Sequence, residues 1–451
     1  MSKVFNQNKI ELTLSAMSDV HISGSWYAGP SKKLFINALE YAREVAKNDI
    51  DAYIFSGDFV DCMNSRGNVM LSEKWGLDYD KAKAEQSARE FETLRDVFKN
   101  HIPDDAEIIY CLGNHDSTDL NNIDRFITEF SSLDEIGDNK NFDRMYRTDL
   151  DLDSMRKGMR HCVCKGYHFI CLDIYNEGYE ASIEFLKKNL AEITAKEPLK
   201  YVFVLFHYKT PNTIYASNTD RSAMANAMDE VLSCYPQVVM LNGHTHTSVC
   251  NERAIMQKKY TCVEGACVSY VDVNVLKTDL NVVHDMHFKV SEGLLIEADD
   301  KGALRITRLD YMNKSIIKTA WELPAPKADG SHLKPYSPDR KYTAPKPKFP
   351  KDADFTLQET DEGIKITIPK AINNNEEIYR YQIICNDFSG GTSLYSISSL
   401  YCNRKEEAYN EDTLSAVIPD KKLSSIYKIS VTAQDFWFNE SEPLVKFWDK
   451  L

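Results

Sequence analysis

The sequence predicts an α/β fold for roughly the first 320 residues and an all-β domain for roughly the last hundred. In the first half, short apolar runs typical of buried strands alternate with amphipathic segments of helical periodicity. After residue 247 the pattern changes to short strand-like runs separated by turns. The chain has 451 residues, more than one hydrophobic core usually holds, so we expect two domains.

Each predicted element follows from the spacing of its apolar residues. The predicted strands are bounded by polar residues and cover residues 10–17, 52–56, 107–112, 168–174, 201–206 and 238–241. The predicted helices carry apolar residues three and four positions apart and cover residues 31–47, 79–99, 180–193 and 221–234. Two further strands, residues 293–298 and 303–309, flank a turn at residues 300–302.

A proline-rich stretch at residues 321–351 separates the two predicted domains. Its seven prolines stand among Lys, Asp and Ser with few apolar residues, which is typical of an extended linker. An ordered arm that packs along the first domain explains the composition equally well. We therefore expect an α/β domain at residues 1–320, this linker or arm, and a further domain at residues 352–451.

Residues 352–451 have the size of a small β-sandwich domain. The predicted strands cover residues 356–359, 364–369, 379–385, 413–419, 427–433 and 443–447. The stretch from Tyr427 to Asp435 and the turn through Asn439, Glu440 and Ser441 resemble a fibronectin type III domain. The resemblance implies a tyrosine corner at Tyr427 and a role in packing, oligomerisation or substrate access.

Composition and charge narrow the class of function. The formal charge is −14, and an acidic surface disfavours DNA or RNA polymers, whose binding depends on Lys and Arg. Small nucleotide substrates stay open. The polar N-terminus lacks a secretory signal, no apolar run is long enough to span a membrane, and the eleven cysteines lack a regular spacing. These features predict a cytoplasmic protein without a membrane partner.

Five short polar clusters carry the candidate chemistry, and each follows a predicted strand. They are Asp19-Val20-His21, Gly57-Asp58-Phe59-Val60-Asp61, Gly113-Asn114-His115-Asp116, His207 and Gly243-His244-Thr245-His246. The carboxyl ends of the strands form the edge at which ligands bind in open α/β sheets. We therefore expect these side chains to form one site.

The residue types in the clusters indicate a metal centre. Carboxylates mixed with imidazoles suit transition ions such as Mn, Fe, Zn, Co or Ni better than calcium. No cysteine lies in the clusters, which argues against a structural zinc site. One ion cannot use so many ligands, whereas two ions about 3.5–4 Å apart can share one carboxylate. The sequence therefore predicts two divalent ions, with Mn, Zn, Fe, Ni or Mg as candidates.

From Asp19 to His246, this ordered set of motifs resembles the calcineurin-like metallophosphoesterase superfamily. The resemblance implies a four-layer α/β/β/α sandwich, combined here with the C-terminal all-β sandwich. It also implies hydrolysis of a small phosphate mono- or diester through a metal-bridging hydroxide. The tyrosine that binds ferric iron in purple acid phosphatases is missing after Asp58, so a divalent pair is expected.

The same resemblance assigns a role to each motif residue. The expected metal ligands are Asp19, His21 and His246 for one ion, Asn114, His207 and His244 for the other, and Asp58 for both. His115 would stabilise the phosphate or protonate the leaving group, and Asp116 would orient His115. Asp61 either orients a ligand histidine, the interpretation that we favour, or caps a turn.

Two other functions are compatible with these motifs. A non-catalytic scaffold of the same fold would bind a protein partner, but the chain retains every ligand type. A nuclease of the same fold is disfavoured by the acidic charge. Insertions at residues 62–100 and 117–160 would wall the cleft, the second as a lid. Candidate substrate contacts near the motifs are Arg66, Tyr175, Asn176, Tyr208 and Lys209.

Overall fold

The computed structural model describes most of the chain as two compact units. The described residues are 4–23, 31–61, 73, 76, 78–116, 158–174, 178–219, 222–271, 282–284, 290–372, 378–398, 412–419 and 422–447. The first unit comprises Met1–Val249, Ala254–Val271 and Val290–Ser337. The second unit comprises Cys250–Arg253, Asp272–Lys289 and Pro338–Leu451.

Strands and helices are labelled in chain order. The strands are β1 Ile10–Met17, β2 Ala52–Ser56, β3 Glu107–Cys111, β4 Met159–Cys164, β5 Tyr167–Leu172, β6 Val202–Phe206, β7 Val238–Asn242, β8 Ile255–Gln257, β9 Thr261–Glu264, β10 Val282–His284, β11 Glu292–Asp299, β12 Leu304–Asp310, β13 Ser315–Leu323, β14 Thr356–Thr360, β15 Gly363–Pro369, β16 Ile378–Asp387, β17 Thr392–Ser398, β18 Thr413–Pro419, β19 Ile426–Asp435 and β20 Leu444–Phe447. The helices are α1 Ser31–Val45, α2 Tyr79–His101, α3 Glu180–Lys196, α4 Ala223–Leu232 and α5 Arg340–Thr343. None of these described helices is long and apolar enough to cross a membrane.

Two six-stranded mixed sheets form the first unit. The first has the order β13-β12-β11-β1-β2-β3, in which β1, β2 and β3 are parallel. The second has the order β4-β5-β6-β7-β9-β8, in which β5, β6, β7 and β9 are parallel. Strands of the two sheets contact each other, β3 with β5, and both β2 and β3 with β6. The predicted α/β class of this part of the chain is confirmed.

Helices cover these sheets, and their ends follow from local sequence. The continuous apolar strands β2, β6 and β7 are buried at every residue. Helix α1 packs on α2 and against β11, and α3 packs on α4 and against β4 and β5. Asp78 caps α2 by accepting a hydrogen bond from the Lys81 N–H at 2.9 Å, and Ser222 caps α4 in the same way.

This topology brings the polar motifs towards one edge. Within each sheet the parallel strands end on the same side, and a motif follows five of these strands, namely β1, β2, β3, β6 and β7. Asp19 comes after β1, Asp58 after β2, His115 after β3, His207 after β6 and His244 after β7. The strands that were predicted to precede the five motifs are confirmed.

The start of the proline-rich stretch packs on the first unit. The Tyr201 hydroxyl donates a hydrogen bond to the Pro324 carbonyl at 2.6 Å. The Gln257 N–H donates to the Tyr336 carbonyl at 2.9 Å. These contacts fit the ordered-arm alternative for residues 321–337.

In its described residues the second unit is made of strands, apart from the short helix α5 and the 3-10 turns at Glu252–Ala254 and Leu423–Ser425. Its sheets have the orders β10-β17-β16-β19-β20 and β14-β15-β18. Tyr427 is 37% exposed with its ring beside Phe388, whereas the buried Tyr381 hydroxyl accepts a hydrogen bond from the Ala371 N–H at 2.8 Å. Tyr381 thus makes a side-chain hydrogen bond to the backbone, and the tyrosine corner expected at Tyr427 stays a prediction. The likeness to fibronectin type III stays a prediction.

Candidate metal centre

The candidate ligands lie in loops with left-handed backbone conformations. Five of them have φ between 45° and 70°: Asp19, His21, Asp58, His244 and His246. Residues other than glycine rarely adopt positive φ, and such strained conformations cluster at functional sites. Backbone hydrogen bonds hold the turns, since the Asp19 N–H donates to the Gly57 carbonyl and the His21 N–H to the Asp58 carbonyl, both at 3.0 Å.

One group of potential metal ligands is fully buried. It contains Asp19, His21, Asp58 and His246, and one ligand atom from each lies within 4.8 Å of the others. His246 Nε2 lies 3.1 Å from Asp19 Oδ1 and 3.2 Å from His21 Nε2. His21 Nε2 lies 3.7 Å from Asp58 Oδ2. Nitrogen and carboxylate donors at this spacing could hold one ion.

A second group shares Asp58 with the first. Asp58, His207 and His244 offer ligand atoms within 4.8 Å of one another. His207 Nε2 lies 3.1 Å from Asp58 Oδ2 and 3.2 Å from Asn114 Oδ1. The Oδ2 atom of Asp58 therefore faces a histidine of each group. All seven residues expected as ligands come together in the structure.

The hydrogen bonds of two histidines fit a role as metal ligands. His207 Nδ1 lies 2.7 Å from the Ser56 carbonyl, which can only accept, so Nδ1 carries the proton and a neutral ring keeps Nε2 free. His21 Nδ1 faces Asp61 Oδ1 at 3.5 Å, while its Nε2 lies in the first group. Histidines that bind metals usually donate their other N–H to such acceptors.

The buried carboxylates favour added positive charge at this site. Burial acts to lower the pKa of His207, but Asp58 outweighs it and the pKa rises to about 9. Burial also opposes protonation of His21, yet Asp19 and Asp61 hold its pKa well above the ordinary value. His246 is the exception, because burial lowers its pKa despite the nearby Asp19. A divalent cation can supply the charge that these protons otherwise supply.

Asp61 is the carboxylate that lies beside His115. Its Oδ1 lies 3.0 Å from His115 Nδ1, and the His115 ring packs edge-on against His21 with centroids 4.7 Å apart. Burial acts to raise the pKa of Asp61, but the His115 and His21 rings lower it below the ordinary value. The His115 side chain is 24% exposed, so it can meet a substrate from solvent.

The Asp116 carboxylate is occupied by backbone N–H groups instead. Its Oδ1 accepts from Phe59 and Val60 at 2.8 and 3.1 Å, and its Oδ2 accepts from Gly113 at 3.0 Å. Asp116 therefore ties the second motif to the third. The carboxylate beside His115 Nδ1 is that of Asp61, and the orienting role expected of Asp116 stays a prediction.

This arrangement has a counterpart among known proteins. A family model described as calcineurin-like phosphoesterase matches residues 12–248, which is more than half of the chain. The chain belongs to this family. Calcineurin-like phosphoesterases generally hydrolyse phosphoesters with metal ions, in agreement with the buried Asp and His groups. A search of curated proteins found no match.

Two glycines let the ligand loops of this calcineurin-like phosphoesterase approach each other. A Cβ at Gly113 would collide with the Asp58 carboxylate. A Cβ at Gly243 would collide with the Ser18 hydroxyl and the Asp19 carboxylate. Only glycine leaves room at these positions, which explains why each of the two motifs has glycine directly before a ligand.

The site also contains residues that no motif indicated. The Tyr270 ring lies 4.1 Å from the His246 ring and 5.7 Å from the His21 ring. Cys267 Sγ lies 3.4 Å from His246 Nδ1. Both residues follow β9, which is parallel to β7, so their loop reaches the same edge of the sheet. Recognising β9 as a short parallel strand would have identified this loop.

The expected substrate contacts have different outcomes. Arg66, Tyr175, Asn176 and residues 117–157 of the expected lid lie outside the described residues. The half-buried Tyr208 has its ring 4.5 Å from the His244 ring. Lys209 is fully buried, with Nζ 2.5 Å from Glu264 Oε2 and 3.0 Å from the Tyr215 carbonyl. Lys209 is therefore a buried, paired residue and not an exposed one.

Proposed function

We propose that this calcineurin-like phosphoesterase hydrolyses a small phosphate mono- or diester with two divalent metal ions. One ion would be held by Asp19, His21 and His246, the other by Asn114, His207 and His244, with Asp58 between them. The position of Asp58 Oδ2 carries the proposal. This single oxygen faces His21 Nε2 at 3.7 Å and His207 Nε2 at 3.1 Å.

The donor atoms support two ions of similar chemistry. Each group combines imidazole nitrogens with carboxylate or amide oxygens and contains no thiolate, which suits Mn, Zn, Fe or Ni and leaves Mg as an oxygen-preferring alternative. When bound, such a pair lowers the pKa of water and neutralises phosphoryl oxygens during an in-line displacement. Residues 59–61 contain no tyrosine, so we do not expect a ferric–tyrosinate pair.

His115 is the proposed proton donor or phosphate ligand. Asp61 Oδ1 lies 3.0 Å from Nδ1, where it would orient the ring, and Nε2 would be the nitrogen that acts on the substrate. The His115 backbone N–H donates to Asp58 Oδ1 at 2.9 Å, which holds the backbone of His115 close to the shared carboxylate. A positioned general acid of this kind contributes about 10²–10⁴-fold to a rate.

The charge of the chain supports a small substrate. With a formal charge of −14, the protein repels the backbone of a nucleic-acid polymer, whereas one phosphate group can be neutralised locally by two cations. This favours the phosphoesterase over the nuclease alternative.

The test is hydrolysis of p-nitrophenyl phosphate and bis(p-nitrophenyl) phosphate by metal-stripped protein, with Mn²⁺, Zn²⁺, Mg²⁺ or Ni²⁺ added back. We expect metal-dependent activity that Asp58→Asn and His115→Ala abolish. Asp96→Asn and His101→Ala are matched controls, because both residues lie on α2 and pair with Lys32 and Glu40 outside the site. The ratio of the two rates separates a monoesterase from a diesterase.

Two results would contradict the proposal. A chain that binds no metal and cleaves neither ester would favour the scaffold that binds a protein partner. Full activity in Asp58→Asn would contradict the shared role of this carboxylate even if other metal ligands proved essential.

A further inference from the structure

Cys267 occupies a position that the metal-site motifs do not explain. It is fully buried in the loop after β9, and its Sγ lies 3.4 Å from His246 Nδ1. The Tyr270 N–H donates to the same sulfur at 3.4 Å, and the Asp19 carbonyl oxygen lies 3.4 Å from it. The thiol thus contacts two proposed ligands of the first ion.

The tautomer of His246 decides which atom donates in the contact with Cys267. Nε2 of His246 faces Asp19 Oδ1 at 3.1 Å and His21 Nε2 at 3.2 Å, inside the first ligand group. A neutral imidazole that binds an ion through Nε2 must carry its proton on Nδ1. The Nδ1–H then needs an acceptor, and among the described residues Cys267 Sγ lies at hydrogen-bond distance.

We propose that Cys267 is a positioning residue for His246, whose sulfur accepts the Nδ1–H and so directs Nε2 at the first metal ion. This inference rests on the two-ion centre of the proposed function. The thiol proton itself has a partner, because S–H can donate to the Asp19 carbonyl. The sulfur lone pairs then remain for the N–H groups of His246 and Tyr270.

The contact of His246 resembles those of two other ligand histidines. His207 has the Ser56 carbonyl at its Nδ1, and His21 has the Asp61 carboxylate. Outer partners of this kind fix the tautomer and the orientation of a ligand ring. A thiol does the same for His246 without placing a further negative charge beside Asp19.

The experiment titrates metal-stripped protein with Co²⁺, followed by calorimetry and by the visible spectrum. We expect Cys267→Ala to weaken one of two ions about 10–100-fold and to change the Co²⁺ spectrum. Cys267→Ser keeps an acceptor and should restore most of the affinity. Cys262→Ala is the matched control, because this buried thiol faces the Thr210 hydroxyl at 3.6 Å and not a proposed ligand.

Three results would overturn the inference. Unchanged affinities for both ions in Cys267→Ala would show that the thiol does not position His246. Equal losses in Cys267→Ala and Cys262→Ala would show a packing effect. A sulfur-to-cobalt charge-transfer band that disappears with Cys267 would make the sulfur a ligand.

Two further precautions keep the outcome clear. If Cys267→Ala does not fold, Cys267→Val replaces it in the comparison, because it leaves no cavity and has no acceptor, although its side chain is slightly larger. The affinity measurement does not require turnover, so a wild-type chain that binds two ions but cleaves no ester still tests the role of Cys267. A wild-type chain that binds fewer than two ions would instead contradict the proposed function.

Discussion

At the residue scale, two carboxylates compete for the role of orienting His115. Asp61 Oδ1 lies 3.0 Å from His115 Nδ1, whereas both oxygens of Asp116 accept backbone N–H groups. We expect Asp61→Asn to lower kcat about 10–100-fold at saturating metal, with little change in KM, because the ring loses its charged partner. Steady-state kinetics on p-nitrophenyl phosphate measures this.

Asp116→Asn is the matched control for that prediction. Asparagine replaces one acceptor oxygen of the carboxylate with an NH₂ group, so that two donors face each other. We therefore expect a loss of about 1–3 kcal/mol in the free energy of unfolding. Urea denaturation measures it. A large fall in kcat for Asp116→Asn at unchanged stability, with none for Asp61→Asn, would show that Asp116 orients the ring.

The sequence contained the ligand types but not every contact between them. The seven expected ligands come together, because each motif follows a strand end, and in three of the motifs a glycine stands directly before a ligand. The carboxylate beside His115 could not be predicted from the motif. Asp116 is the neighbour of His115 in sequence, but its side chain accepts hydrogen bonds from backbone N–H groups, and the carboxylate beside the ring is that of Asp61. Contacts such as Cys267 with His246 depend on a loop that carries no motif of its own.

At the element scale, a buried ion pair ties the end of β3 to β5. Arg160 Nη1 donates to Asp173 Oδ2 at 3.0 Å, and the Leu112 N–H donates to Asp173 Oδ1 at 2.7 Å, next to the third motif. We expect Arg160→Met to cost about 3–5 kcal/mol in the free energy of unfolding, because it leaves a buried carboxylate without its partner. Urea denaturation followed by circular dichroism measures this.

The exposed pair of Lys32 and Asp96 is the control for that loss. Their side chains are each 51% exposed, so Lys32→Met should cost less than about 1 kcal/mol. Equal effects of Arg160→Met and Lys32→Met would show that burial does not decide the strength of these pairs.

A histidine pair on β4 and β5 predicts a pH dependence of stability. His161 Nε2 lies 2.9 Å from His168 Nδ1. Burial lowers the pKa of His161, and the nearby His168 lowers it further. Burial also lowers the pKa of His168, although Glu197 acts in the opposite direction. Histidines with lowered folded pKa bind fewer protons when folded. Their contribution to stability is therefore complete above the unfolded value near 6.5 and is lost as the pH falls.

The double variant His161→Gln/His168→Gln tests this dependence. Between about pH 7.5 and about pH 5.5, its thermal midpoint should fall less than that of the wild-type chain. Differential scanning calorimetry in metal-free buffer measures both. A fall of the same size in the two proteins would assign the acid sensitivity to other groups.

Elements were predictable where they are long or continuously apolar. Strands β1, β2 and β18 have the predicted bounds, because their apolar runs end at polar residues. The short strands β8 and β9 and the edge strand β13 were not predicted. In β13 only alternate positions such as Ile317 and Trp321 are buried, and polar residues separate them, so its pattern merges with the following polar stretch.

At the scale of the whole molecule, the residue at which the first unit ends can be tested by truncation. A boundary at residue 320 cuts β13 and removes the buried Trp321, whose ring lies 4.4 Å from the Arg308 guanidinium. A chain of residues 1–337 keeps both β13 and the packed arm. We expect residues 1–337 to be more stable than residues 1–320 and to bind metal, because every proposed ligand lies in the first unit.

Soluble yield and thermal midpoint compare the two truncated chains, with the full chain as reference. Both lack residues 338–451, so they differ only in the segment under test. Equal stability of the two would contradict the role of β13 and the arm, and the boundary near residue 320 would then stand.

The central claim is that Asp58 is shared by two metal ions, and counting ions tests it most directly. Calorimetric titration of metal-stripped protein with Mn²⁺ should give two ions per chain. His207→Ala should weaken one ion and Asp58→Asn both, by at least about 10-fold each. A single ion per chain, or loss of only one ion in Asp58→Asn, would contradict the two-ion account.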